Sequence, residues 1–580
     1  MIYLFFFFFH FCYYLYIEIK LEEPIRYKEN DPIESWLNKI LCLDCCSSTS
    51  TLSRLSTGCP YPSECELYYV NRDTLFSYHP VSEAFLQRMM SLYVASHYKN
   101  SPNDLQLMSD APAHHLFVLL PPIDSSKAVT LPEPLCVIQI CLEGEISKQT
   151  ILNSLSKGQR ANGDLIPWCM SQQFQDEDFA SLSGARVVRI ATHPDYFGMG
   201  YGKRALQLLI DYYEGKMQNL NEDDVDTKEE INTIQDEDFE GLSLQNDEIK
   251  VRDAKTMPPL LLKLNERPLT EHLQWIGVSY GLTEKLHRFW KKSGFVPVYL
   301  RQTSNELTGE HTCIMLRSLT NSEDSEIRIQ NESWINDFSS DFHRRIIELL
   351  GYKFKDFDSK LVLSILDAAR RGMGKENSRM NIPKINCRSE LLRNFSSHDL
   401  KRLKSYVNNM LDYHAILDLV PIISHNYFLN QLCDTEAGSK NAEKKLEKVS
   451  LSAVQASILA GIGLQHKTME DLEKDLGIPV TQVMALFMKS LRKIYQFYQS
   501  VEEREFEEDI NKTTEMKKAA AKETKTTTAN ANGKRNIDDE EAWDPTQQTL
   551  EEDLLEGEDE AMKQFKEKQK EIISKLDLKQ

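Results

Sequence analysis

The chain has 580 residues, 27% of them charged, and a net charge of −20. That length predicts three or four domains and ample apolar residues for a core. The negative total argues against a uniformly basic nucleic-acid binder, but it is concentrated: residues 218–253 hold 13 acids against 3 bases and residues 501–560 hold 20 against 8, so the remainder is close to neutral.

Residues 1–17 of MIYLFFFFFHFCYYLYIEIK are almost wholly apolar. They lack the basic start and small-residue cleavage site of a signal peptide. The Phe5–Phe9 run looks like translated non-coding sequence, so residues 1–20 are read as a gene-model artefact, with a membrane anchor as the minority alternative. Twelve cysteines without a disulfide-like framework predict reduced thiols and an intracellular home. Cys42, Cys45, Cys46, Cys59 and Cys65 raise the alternative of zinc, but the later pair is too widely spaced, and no metal is expected. From Leu21 to Tyr98 short apolar runs alternate with turns and end in a helical pattern, Glu83–Tyr98. Strand-length runs follow at His115–Leu120 and Leu135–Leu142, then a helix at Ser147–Leu155 and a strand at Arg186–Thr192. Leu206, Leu209, Ile210 and Tyr213 mark a helix over Lys203–Tyr213. Residues 215–257 read as an acidic, disordered insert. Order resumes with Leu260–Leu264, a strand at Trp275–Tyr280, a helix at Thr283–Ser293, and strands at Phe295–Leu300 and Thr312–Leu316. From Asn321 to about Val501 the pattern is helical. Residues 506–580 form a low-complexity charged tail with one last short helix at Glu560–Leu578.

The chemistry centres on ATHPDYFGMGYGKRAL, Ala191–Leu206, where Gly198, Gly200 and Gly202 lie between a strand and a helix. Glycines there let backbone N–H groups at a helix start close on a phosphate. The spacing fits neither the dinucleotide motif nor the P-loop. Gly372-Met373-Gly374-Lys375 lacks the upstream glycine and the following Ser/Thr, and reads as a loop. The alternative for Gly198–Gly202 is a glycine turn without a ligand.

A loop ending Gly200-Tyr201-Gly202 before a helix resembles the pyrophosphate loop of the GNAT acetyltransferases, and GLTEKLHRFWKKSGF (Gly281–Phe295) resembles their later helix ending in Gly-Phe. DAPAHH, CLEGEISKQTILNSL, RVVRIATHPDYFGMGYGKRALQLL, LLLKLNERP, GVSYGLTEKL, FVPVYLRQTSNELTGEH and GIGLQHKTMEDLEK together resemble the RNA cytidine acetyltransferases, from about Leu21 to Val501. The resemblance implies an α/β fold: a GNAT-type mixed sheet with flanking helices at 99–320, then a mostly helical RNA-binding domain at 325–505 and a disordered tail. Residues 21–98 become the remnant or connector of an upstream ATPase/helicase module. ATP is expected for the full-length family, and no Walker loop is found here.

The implied activity is acetyl transfer from acetyl-CoA to N4 of cytidine in small-subunit rRNA and tRNA, in the nucleus and nucleolus. Further implied partners are a guide snoRNA, a THUMP-domain adaptor protein and a second copy of the chain, with no membrane. A protein lysine acetyltransferase and a catalytically decayed RNA-binding scaffold are the rivals. By matching position, Ile190, Ala191 and Thr192 contact the acetyl and pantetheine part. Phe197, Gly198, Met199, Gly200, Tyr201, Gly202 and Lys203 hold the pyrophosphate, and Lys292 adds a charge to the cofactor. Three positions depart from the family pattern. Phe197 stands where the motif has Gln or Arg. Trp290 stands where many GNAT enzymes carry a Tyr that protonates the leaving thiolate, and indole is donor-only. Lys292 stands where an Arg is expected.

The cytosine amine is neutral with a delocalised lone pair, so a proton must leave as the C–N bond forms. A neutral imidazole suits that task. His114 and His115 are the candidate bases, His193 the reserve, and a structural histidine is the alternative for each. Arg186 and Arg189 either meet phosphate or flank the strand. Lys401, Arg402 and Lys404 follow a helix start at Ser396/Ser397. Thr468–Leu476, Gly477 and Pro479–Tyr495 read as helix, turn, helix, with Lys489, Arg492 and Lys493 on the second helix as an RNA-facing set. An ordinary hairpin with a solvated face is the alternative.

Overall fold

A computed structural model describes residues 26–28, 30–46, 58–96, 101–122, 131–158, 163–217, 257–319, 325–374, 384–432 and 448–527. The apolar leader 1–20, nearly all of the acidic insert 215–257, and the tail from 528 with its last helix lie outside the described residues.

The first strand, β1 (Glu66–Val70), follows helix α1 (Pro32–Ile40) and precedes α2 (Arg72–Leu75), α3 (Pro80–Ser96) and α4 (Pro102–Asp110). The chain continues through β2 (His114–Leu120), β3 (Cys136–Gly144), α5 (Lys148–Lys157), α6 (Leu165–Phe174), β4 (Ser183–Thr192) and α7 (Tyr201–Tyr213). Then come β5 (Leu261–Lys263), β6 (Trp275–Gly281), α8 (Glu284–Lys292), β7 (Val296–Leu300) and β8 (Thr312–Ser318). These strands form one sheet in the order β5-β1-β2-β3-β4-β6-β8-β7, antiparallel except for β4 and β6.

Local chemistry places the helices. Ser147 caps α5 by accepting from the Thr150 N–H at 3.3 Å, and Thr283 caps α8 by accepting from Leu286 at 3.4 Å. The strands β2 and β3 are buried on both faces, which their near-continuous apolar runs require.

Two irregularities in β4 shape the centre of the sheet. Gln139 pairs with Arg189 and Ile140 with Val187, so Val188 is left over as a bulge. The parallel pairing with β6 runs from Gly184↔Trp275 to Val187↔Val278 and goes no further. Beyond it β4 stays paired with β3 to Thr192 and β6 with β8 to Gly281, but not with each other, so the two strands part into a slot.

Beyond β8 the chain is helical: α9 (Ser325–Leu349), α10 (Ser359–Gly372), α11 (Arg388–Asn394), α12 (Ser397–Val407), α13 (Val420–Phe428), α14 (Ala453–Gly463), α15 (Met469–Leu476) and α16 (Val480–Thr527). One buried cluster runs without a break from Cys65 through α7 and β8 to Val501. The sheet and the helices up to Glu503 therefore form one compact unit rather than two separate bodies. A second unit begins at Arg504; of it, the described part is the continuation of α16 to Thr527.

Within residues 21–98, expected as the remnant or connector of an upstream module, the described part supplies β1 to the sheet and α3 to a core against β2 and β3. The last long helix passes Val501 and runs 48 residues in all, into the stretch expected as low-complexity tail. Glu, Lys and Ala dominate 502–525, and these are strong helix formers. Cys42 and Cys45 pack in the α3 core and Cys65 in the main core, so they do not converge on a point.

Candidate active site

Strand β4 ends at Thr192, a 3-10 turn spans Pro194–Tyr196, and α7 starts at Tyr201. Gly198 and Gly200 both take left-handed backbone, with φ of 83° and 97°, which a side chain would strain. No side chain caps α7 at Gly200. The N–H groups of Gly198, Gly200, Tyr201, Gly202 and Lys203 accordingly have no partner among the described residues. Four orphan donors are normal at a helix start, and here they converge where the dipole is positive. Donors arranged in this way can seat a doubly charged phosphate group.

The loop corrects part of the expected set. Phe197 donates its N–H to Pro194 at 3.3 Å and Met199 donates to Tyr196 at 3.3 Å, so neither backbone is free for an anion. Both side chains are exposed. Tyr201 is buried and donates its hydroxyl to the Pro60 carbonyl at 2.7 Å, so only its backbone faces the cradle. A Cβ built on Gly202 meets Thr192 Oγ1 at 3.1 Å and the Phe289 ring at 3.8 Å. Phe289 thus seats α8 against the loop. Lys292 is exposed one turn on, at the i+3 position that shares this face. Trp290 is buried among Tyr280, Phe289 and Phe295, which makes it a core residue with no access to a leaving group.

Strand parity separates the remaining candidates. Ile190 and Thr192 pair with Ile138 and Cys136 and face α7, whereas Ala191 is packed under α3 and offers the slot only its backbone. His115 faces the α7 side, where it is buried and lies 3.6 Å from Glu271, with Tyr69 edge-on at 5.8 Å. Arg267 holds that carboxylate at 2.6 Å. Burial pushes the His115 imidazole down, and the Arg267 charge adds to this against the pull of Glu271.

His114 lies on the opposite face in a row with Cys141, Arg186 and Gly277. It is half-buried, and its Nδ1 is 2.8 Å from the Gln139 amide. Burial first, then Arg186 and Arg72, hold it below the ordinary histidine range, so it is neutral at pH 7. The Val188 bulge places Arg186 and Arg189 on this same face. Arg186 pairs with the buried Glu143 at 2.5 Å, and Arg189 pairs with Asp104 at 2.9 Å under the Tyr93 ring. Both arginines are engaged with protein carboxylates. His193 is buried and accepts from the Asp195 N–H at 3.2 Å, which makes it a turn cap.

His115 gives the first expected outcome. Its folded form resists protonation, so the unfolded chain binds the proton more readily once the pH falls below about 6.5. Stability contributed here is complete above that pH and lost below it. His115→Phe should flatten the acid limb of a stability–pH curve measured by denaturant titration; an unchanged limb would exclude His115 as its source.

In the helical part, α15 and α16 are joined through Gly477 at φ 70°, with Thr468 and Asp471 forming a capping box. Arg402 is chelated by Asp399 and Asp418 at 2.6 and 2.8 Å and donates to the Ala415 carbonyl. It holds the α12 turn and is not available to phosphate. Arg492 donates to the Val407 carbonyl at 3.0 Å and Lys493 to that of Ser450 at 2.9 Å. Lys401, Lys404 and Lys489 are exposed and have no ion-pair partner among the described residues. They sit on neighbouring helices, since Tyr406 of α12 packs on Phe487 of α16.

Sequence reasoning missed Gln139 and Glu310. The first is a polar residue inside an apolar strand, which was a readable signal; the second lies in the FVPVYLRQTSNELTGEH stretch that carries the resemblance, where no spacing singles it out.

The family described as GNAT acetyltransferase 2 matches residues 88–320. A family described as a possible tRNA binding domain matches 334–580. The helicase domain of RNA cytidine acetyltransferase NAT10/TcmA matches 12–44, which reaches back into the segment expected to be an artefact. The chain is 52% identical to the RNA cytidine acetyltransferase of Schizosaccharomyces pombe, over 97% of this chain and 50% of that one. It is 51% identical to the human one, over 96% and 48%. It thus spans about half the length of the curated relatives it matches. Among solved structures, the ribosomal-protein-S18-alanine N-acetyltransferase of Escherichia coli aligns with a TM-score of 0.22 at 9% identity, over 45% of this chain and 97% of its own.

Proposed function

The chain belongs to the RNA cytidine acetyltransferase family, and from that premise we propose that its sheet transfers an acetyl group from acetyl-CoA to N4 of cytidine in RNA. The observation that carries this is the uncapped start of α7 beside the slot between β4 and β6. The N–H groups of Gly198 and Gly200–Lys203 fit a pyrophosphate, and Lys292 adds charge from α8. The slot fits the pantetheine arm, with Ile190 and Thr192 on its α7 side. The bulge at Val188 re-aims the backbone of β4 at the mouth of the slot. An N–H donor there opposes the negative charge that grows on a thioester oxygen. RNA approaches the other face, where His114 is neutral and placed to take the N4 proton.

Small-subunit rRNA and tRNA as substrates, a guide RNA or adaptor, and a nucleolar site of action rest on the family alone. The exposed Lys401, Lys404 and Lys489 support contact with the RNA backbone. Their replacement by Gln should weaken RNA binding at low salt. Each phosphate that a lysine no longer neutralises should reduce the log–log salt slope by about 0.7 to 0.9. Arg402→Gln should instead lower stability and leave the slope alone. A triple Lys variant with the parent's slope would remove this surface from the reading.

The activity is tested by incubating the chain with labelled acetyl-CoA and RNA, digesting to nucleosides, and identifying the labelled species. N4-acetylcytidine is expected. Label retained on protein lysine after ribonuclease treatment would favour the lysine acetyltransferase instead.

A further inference from the structure

Resting on that reading, we propose that a polar pocket at the free end of β6 receives the target base, and that Glu310 is the residue that tells cytosine from uracil. The pocket is open, has a volume of about 220 Å³, and is lined by Ser279, Tyr280, Gly281, Asn305, Thr308, Glu310 and Thr312. Its place follows from strand parity. Gly277, Ser279 and Gly281 alternate onto one face of β6, and Gly277 shares its row with Arg186, Cys141 and His114. The pocket therefore opens on the acceptor face, three residues past the point where β4 and β6 part. Tyr280 turns the other way, towards His287 and Met315.

The loop between β7 and β8 is built to hold a carboxylate there. Asn305 Oδ1 accepts from the Leu307 N–H at 2.9 Å, the Asn305 N–H donates to the Glu310 carbonyl at 2.8 Å, and Thr308 Oγ1 accepts from the Glu310 N–H at 3.4 Å. The Glu310 side chain folds back over Gly281, where a Cβ would collide with its carboxylate. That position must be glycine for the carboxylate to sit where it does. Glu310 has no ion-pair partner among the described residues.

The chemistry of the lining then selects the ligand. An ionised carboxylate only accepts hydrogen bonds. Cytosine presents N4–H donors, and Glu accepting from cytosine N4 is a recurring contact. Uracil presents O4 in the same place, so two acceptors would face each other. Cytosine N3 and O2 need donors, and the hydroxyls of Ser279 and Thr312 and the Asn305 amide nitrogen can supply them. Glu310 thus reads the amine when the base binds; His114, three strand positions away in the sheet, does not touch the base in this pocket.

The test uses the full chain and two unstructured oligoribonucleotides that differ only in one central cytidine or uridine. The parent should bind the cytidine RNA more tightly by about fivefold or more, the size of one good base contact. Glu310→Ala should bring that ratio to near one and leave uridine-RNA and acetyl-CoA affinities unchanged. Gly281→Ala, which displaces the carboxylate without removing it, should do the same. A loss of both RNA affinities together would mark Glu310 as structural only, and no preference in the parent, or a preference surviving in both variants, would overturn the proposal. Whether the parent acetylates the cytidine RNA is scored separately, so failure of the acetyltransferase reading stays distinguishable.

Discussion

Gly202→Glu should abolish acetyl-CoA binding in calorimetry while leaving the far-ultraviolet spectrum and the melting transition near those of the parent. Gly202 is the second residue of α7 and its N–H is one of the orphan donors. Acidic residues in the first turn favour a helix, which offsets the tight fit of the new Cβ against Thr192. The ligand loses twice. A carboxylate rooted here can fold over the N–H groups that a pyrophosphate requires, and its charge repels that group. Two unit charges about 4 Å apart at an effective dielectric of about 20 repel by about 4 kcal/mol, close to a thousandfold in affinity. Gly202→Ala is the control. Its Cβ has to fit 3.1 Å from Thr192 Oγ1, a tight contact that a rotation of the threonine can relieve, so the loss should be small by comparison. If the Glu variant binds acetyl-CoA like the parent, the α7 cradle is not the cofactor site.

The strands and helices that frame this site were legible because each carries a simple pattern. Apolar runs of strand length gave β2, β3, β4 and β6, and the spacing of Leu206, Leu209, Ile210 and Tyr213 gave α7. Strand β1 escaped notice because ELYYV is five residues long and begins with a charge. Helix α6 escaped because Pro167 lies inside it and Asp164 at its start makes no capping bond. The site itself was half legible. Glycines in a strand–loop–helix context mark a phosphate cradle, but the sequence could not show that the Phe197 and Met199 amides close the turn. Nor could it rank neighbours in a pair. His114 and His115 differ by one position, which in a strand means opposite faces, and a bulge at one residue decides which arginines join them. Arg402 looked like its neighbours Lys401 and Lys404 until two aspartates, one of them sixteen residues on, took it out of play.

That parity sets up the sharper expectation. His114→Ala should lower turnover by about 10² to 10⁴ with acetyl-CoA affinity nearly unchanged, the usual cost of losing a general base. His115→Ala should cost stability and leave turnover near the parent value, since His115 faces α7 and Glu271 rather than the acceptor. A base needs its Nε2 free, so the proton must sit on Nδ1 and point at the oxygen of Gln139. The 2.8 Å contact is drawn to the amide nitrogen, and a half-turn of that amide supplies the required oxygen. Gln139→Glu removes the choice, because a carboxylate can only accept. It should therefore keep turnover, and it should also move the acid limb of kcat/KM. In the parent that limb lies below about pH 6.5, because burial and two arginines disfavour the imidazolium. A carboxylate at 139 favours the imidazolium, so the limb should shift upward in pH. Gln139→Leu leaves Nδ1 without a partner and should lower turnover without moving the limb upward. A His114→Ala variant that acetylates RNA at the parent rate, or a Gln139→Glu limb that does not move, would take the proton-transfer role away from His114.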